Sequence, residues 1–361
     1  MTPGLVDSAM RFSLFAVLAL TGCASSSTPG KALRAGSSPQ LAMDATGTVR
    51  MVFGRGDTIF VASSRDSGAT FTPAVSIAIV PEMHLGSTRG PVIASSRNQS
   101  LVSATDKKGN IHLFQLDQGS NVWSTRSLPL NTVLGSAPEG LGTLAADGND
   151  IFYSAWLDYR DGKQMAIYFA RIDVRDSTPP VNRRLYASPD GHVCECCRPS
   201  IATRDGRVAV MFRNWLGGAR DLYLVQSNDE GASFGSAEKL GTGSWKLNAC
   251  PTDGGSLSID ASGRIATVWR REMTIYTASP GEPEVPVANG KSPMMSSRDR
   301  TIDLVWQDGE NVRLGSLRSN SSMLVDKGRL PQVIALTGGR ALLAWEHGGT
   351  VYFGRFQEPG R

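Results

Sequence analysis

No stretch of this 361-residue chain interleaves lysine and arginine with aromatic side chains, and the formal net charge is only +4. A nucleic-acid groove requires such a basic, aromatic lining, so there is no nucleic acid among the expected partners. Long apolar runs are also missing: residues 12–20 are too few to span a bilayer as a mature helix. The five cysteines follow no standard zinc spacing, and no Ser/His/Asp triad is singled out. Glycine, by contrast, is plentiful at 39 residues, and much of it falls between short strands of alternating character. That combination points to an all-β chain able to bury the core of one large domain.

The strands repeat. A proline or small residue opens a short strand, a turn with Asp or Gly follows, and an apolar strand often ending in an aromatic comes next. First strands open near Pro39, Pro91, Gly142, Pro199, Ser256, Pro293 and Pro331, which makes seven units. Three or four strands per unit read as blades of a β-propeller with four-stranded blades, seven of them preferred. The last unit ends after three strands, and the segment near Lys31 to Ala35 could supply its outer strand and close the ring. Trp156, Trp269, Trp306 and Trp345 recur at one second-strand position and are expected between blades.

Ahead of the array the chain reads as an address. Arg11 and the apolar run lead into Leu20-Thr21-Gly22-Cys23, which resembles a bacterial lipobox. The resemblance implies that residues 1–22 are a lipoprotein signal peptide and that Cys23 is the site of lipidation. Residues 23–36 then form a tether and possible closing strand, and residues 37–361 a single propeller. The implied location is the bacterial cell envelope, at the outer membrane, with the membrane reached through this anchor alone.

Two turns share one spacing. Ser64, Asp66, Gly68 and Phe71 in SRDSGATF align with Ser227, Asp229, Gly231 and Phe234 in SNDEGASF. In such a turn the aspartate can accept backbone N–H groups, the glycine permits positive φ, and the aromatic packs beneath. The pattern resembles the Asp box, or BNR repeat, of the sialidase (neuraminidase) propellers. Six blades are the norm there, so six stands as the alternative count.

The resemblance sharpens over residues 199–234. RPSIATRDGRVAVMFRN is similar to the sialidase segment in which a Glu-Pro pair opens an inner strand and an arginine closes the next. It implies that Arg213 holds a substrate carboxylate, with Arg220 a more distant relative. However, Arg198 stands where sialidases carry the glutamate that activates a tyrosine nucleophile, and a cation cannot take that proton. No Arg-Ile-Pro motif opens the first blade either.

Propeller geometry places the starts of inner strands and the ends of second strands on one face. The ligand-binding candidates there are Arg198, Arg213, Arg270, Asp158 and Glu346, with Trp215 and Trp245 for stacking. Cys194, Cys196, Cys197 and Cys250 precede the inner strands of adjacent units. Disulfides are the first expectation, with Cys250 linked to the cluster and the neighbours Cys196 and Cys197 choosing different partners. The alternative is a soft transition metal held by these four with His192.

Together these features predict a lipid-anchored, sialidase-like propeller that binds an anionic or glycan ligand without ordinary sialidase catalysis and without a cofactor. An envelope protein is a further partner class. One alternative is an exo-sialidase or other glycoside hydrolase using displaced carboxylates such as Asp158, Glu139 or Glu346. The other is a soft-metal-binding envelope protein.

Overall fold

The computed structural model describes residue 1 and residues 30–86, 88–298, 301–317 and 321–360. The lipobox, Cys23 and the signal segment lie outside the described residues. No helix of the described residues is long and apolar enough to cross a membrane.

Each repeat becomes a four-stranded antiparallel sheet, and the sheets number seven. The inner strands are Ser37–Met43, Val92–Ser95, Gly142–Ala146, Ser200–Arg204, Ser256–Ile259, Lys291–Arg298 and Arg329–Leu336. Each touches the next, and the seventh touches the first, so the blades form a closed seven-bladed ring rather than six. Lys31–Ala35 pairs antiparallel with Thr350–Gln357, which makes the seventh blade from both ends of the chain. Closure of this kind leaves no open side to the ring.

The burial of each strand follows its radial place. Second strands such as Ile151–Asp158 are buried along their whole length, because both faces of the sheet lie against neighbouring blades. Fourth strands such as Val75–Ile79 sit at the rim and are largely exposed. Between blades the apolar side chains interdigitate, as with Leu101, Phe152 and Trp156, or Tyr153, Phe169 and Phe212. Trp269, Trp306 and Trp345 are likewise buried, as their recurrence requires.

The two matched turns join third to fourth strands in the first and fourth blades. In the second of them the Asp229 carboxylate accepts the Ser227 hydroxyl at 2.6 Å and the Ser233 backbone N–H at 2.8 Å. Gly231 has φ +78°, and a Cβ there would lie 2.6 Å from the Phe169 ring. Phe234 packs edge-on against that ring at 4.9 Å. Asp66 repeats the arrangement with Ser64 and Thr70, and Phe71 packs on Phe353.

At the opposite ends of the inner strands the backbone is irregular. The first, sixth and seventh blades each carry a register shift at the strand entry. Within those shifts Ser38, Ser292 and Leu330 have φ of 56°, 53° and 53°. Each is followed by proline, and a non-glycine residue held in the left-handed region is costly wherever it occurs. These bulges crowd backbone and small side chains around the channel mouth.

Candidate functional site

A recess opens at the mouth of the central channel, lined by residues from every blade but the third. It is narrow, with an interior of about 40 Å³, enough for a terminal charged group rather than a whole sugar ring. Ser38, Ser292 and Leu330 all border it, as does Thr88 at φ 70°, so four left-handed non-glycine residues meet there.

Arg198 reaches this recess from the loop that opens the fourth blade. The loop is pinned because the Cys194 N–H donates to the Arg213 carbonyl at the end of the second strand. On its other side it presses on Gly254, where a Cβ would meet the Arg198 carbonyl oxygen at 1.8 Å. Crowded by protein atoms yet open to the channel, the guanidinium has no hydrogen-bond or ion-pair partner among the described residues. Burial alone pushes its pKa down to about 10.

Among the described residues the only acid lining the recess is Asp253, and it is committed elsewhere. Its carboxylate pairs with Arg270 at 3.0 Å and accepts the Ser292 backbone N–H at 2.8 Å. Arg89, the other cation in the lining, donates to Glu139 at 2.7 Å. Arg198 is therefore an uncompensated positive charge in a partly dry pocket, which is the environment that favours an anionic guest.

The remaining predicted residues lie elsewhere. Arg213 is 1% exposed, and its Nε, Nη1 and Nη2 donate to the carbonyls of Asp253, Arg220 and Arg270 at 3.1, 2.6 and 3.0 Å. The expectation that it reaches a ligand carboxylate does not survive this burial: it clasps the loops of two blades. Arg270 is similarly occupied, by Asp253, the Glu272 carbonyl and the Pro251 carbonyl. Trp245 is buried against both guanidinium groups, 5.3 Å from Arg213 and 5.2 Å from Arg270, so no ligand can stack on it. Trp215 packs on Arg220 at 4.5 Å and meets the His192 ring edge-on, outside the recess.

The displaced carboxylates are equally engaged. Asp158, 1% exposed, takes three bonds from Arg160, one of them from its backbone N–H, and one each from Trp156 and Ser136. Glu346, 2% exposed, is held by Arg329 at 2.6 Å and Ser37 at 2.5 Å. Neither faces the recess, and neither has a free oxygen positioned as a general base. Sequence reasoning missed Ser38, Ser292 and Leu330, although the residue before an inner-strand proline is a visible signal.

The cysteines are brought together, but as thiols. The expected disulfide from Cys250 to the cluster is not formed: all four are free, with Cys194, Cys196 and Cys197 buried and Cys250 exposed. The Sγ atoms of the buried three lie 3.4, 3.6 and 3.9 Å apart. Contacts with Cys196 and Cys197, helped by Arg213 and Arg220, pull the Cys194 pKa down, whereas burial drives that of Cys197 up. His192 turns aside toward Trp215 and Glu195 and stays out of the sulfur group.

Comparison with family profiles finds no match to this chain, and comparison with curated proteins finds none either. Solved structures do match in fold. An ulvan lyase bound to [GlcA(1-4)Rha3S] superposes with a TM-score of 0.59 at 9% identity, covering 90% of this chain and 94% of that one. The Aleuria aurantia lectin in complex with Fucα1-6GlcNAc gives 0.51 at 12% identity, over 80% and 94%. Virginiamycin B lyase from Staphylococcus aureus gives 0.53 at 11% identity, over 90% and 99%. At these identities the likeness is one of β-propeller architecture.

Proposed function

We propose that this protein binds an anionic glycan, taking a carboxylate or sulfate group into the channel mouth against Arg198. The observation that carries the reading is the guanidinium itself, recessed, depressed in pKa and without a partner among the described residues. A carboxylate or sulfate would supply the charge and the bidentate acceptors that the site lacks. Two of the architectural relatives lend support: one carries GlcA and Rha3S in its complex, the other a fucosylated sugar. The sialidase-like spacing of residues 199–234 adds to this, with hydrolysis disfavoured by an arginine in place of the activating glutamate.

A glycan panel tests the reading. Sulfated uronate–rhamnose oligosaccharides and sialyllactose should be retained by the purified protein, while neutral lactose is not, and no sialic acid should be released. Equal binding of neutral and acidic members would sink the proposal. Turnover of the sialoside would promote the hydrolase alternative.

The reading includes an anchor at the envelope through lipid on Cys23, supported by the Leu20-Thr21-Gly22-Cys23 sequence. Cys23→Ala should shift the protein from the detergent-soluble membrane fraction to the aqueous one or block its processing. Unchanged fractionation of the variant would remove the anchor from the account.

A further inference from the structure

The three buried cysteines form a packing group of their own, joined to none of the apolar cores between blades. Small hydrophobic thiols ordinarily fill gaps in a core; here the sulfurs converge on one another. Their separations of 3.4, 3.6 and 3.9 Å have the scale of the edges of a metal–thiolate tetrahedron. With a Zn–S bond of about 2.3 Å, tetrahedral geometry sets that edge at about 3.8 Å. The same separations are far beyond the S–S bond of about 2.05 Å. Cys250, the exposed fourth thiol, stands beside Cys196 on the solvent side, outside the tight group of three sulfurs.

We propose that Cys194, Cys196 and Cys197, with Cys250 as fourth ligand, bind one zinc ion. Charge favours a divalent ion in this group. Four thiolates around Zn²⁺ carry a net charge of about −2, and two guanidinium groups face it. Arg220 Nη1 lies 3.0 Å from Cys194 Sγ, and Arg213 stands close by. Outer-shell donors of this kind fix thiolate ligands in place. The Asp253 N–H supplies another, 3.4 Å from Cys197 Sγ.

The site has a structural consequence for the channel mouth. Cys197 immediately precedes Arg198, and Cys250 opens the segment that reaches Asp253 and Gly254. A zinc ion would therefore staple the entry loops of the fourth and fifth blades side by side, holding the crossing of Arg198 over Gly254. The metal site rests on the sulfur separations alone and not on what the mouth binds.

The test uses the full chain purified without reductant or chelator. Elemental analysis should find one zinc per chain, and the cysteines should resist alkylation until a strong chelator is added. Cobalt(II) exchanged into the wild-type protein should give thiolate-to-cobalt charge-transfer absorption, a readout that does not depend on any variant folding. Cys196→Ser/Cys197→Ser should lose both the zinc and the cobalt band. A Cys250 disulfide found in non-reduced peptides, alkylation unaffected by zinc, or loading by copper(I) but not zinc would each overturn the proposal. Loss of acidic-glycan binding with zinc retained would fault the ligand reading and leave the metal site standing.

Discussion

Two arginines a short way apart in sequence illustrate how much a side chain's surroundings decide. Arg213 donates three hydrogen bonds to backbone carbonyls, whereas Arg198 donates none within the described residues. The first is consumed by the fold and the second is held available. Arg213→Ala should thus leave three buried carbonyls without donors and open a cavity, at a cost on the order of 3 kcal/mol or more. Denaturant unfolding would report this as a lowered midpoint. An unchanged midpoint combined with lost ligand binding would instead restore Arg213 as a ligand arm. The sequence shows an arginine closing an apolar strand but not the carbonyls that surround it, because two of the three, at Asp253 and Arg270, come from another blade. Arg198 was visible as a departure from a family pattern; that it lacks a partner emerges only when the blades converge.

At the scale of the element, the hydrogen bonding of the paired turns at Asp66 and Asp229 was legible because it is local, whereas the aromatic partners Phe353 and Phe169 come from neighbouring blades. The serine, aspartate, glycine and aromatic of each turn occupy the places their spacing dictates. Their carboxylates also make these turns sensitive to acid. Asp229 is held down to about 2, chiefly by the Ser227 hydroxyl and then by Ser233, and Asp66 is held well below the usual carboxylate range, chiefly by Thr70. A depressed folded pKa contributes stability above the unfolded value of about 3.9, and that contribution is lost as pH falls toward the folded one. Thermal unfolding midpoints should therefore hold steady down to about pH 4 and fall between about pH 4 and pH 2. In Asp66→Asn/Asp229→Asn that acid limb should be shallower; an identical pH profile would show that other groups govern it. The bulged entries at Ser38, Ser292 and Leu330 were less legible. Their register shifts arise where each strand leaves the crowded ring, a constraint that belongs to no single repeat.

The whole molecule was readable because a propeller repeats one unit, and seven starts in the sequence became seven sheets. Even the closing strand follows from counting, since the last repeat has three strands and the first segment supplies the fourth. The mouth was not readable in the same way. Its lining comes from residues as distant as Ser38, Arg198 and Gln332, and their convergence depends on how tightly the ring closes. The fold thereby concentrates left-handed backbone and a cation unpaired among the described residues at one point. Both oppose stability, and both are expected where a ligand is to be received.

The most direct test is a calorimetric titration of wild type and Arg198→Gln with a sulfated uronate–rhamnose oligosaccharide, alongside thermal melts of both proteins. Removing a recessed charge that has no partner should leave the melting temperature equal or higher, because the desolvation cost disappears with it. Affinity should nevertheless fall by about tenfold or more, as expected for loss of a charge-assisted contact. Equal affinity in the two proteins, or a loss of binding accompanied by a matching loss of stability, would contradict the assignment of Arg198 as the anion-binding group.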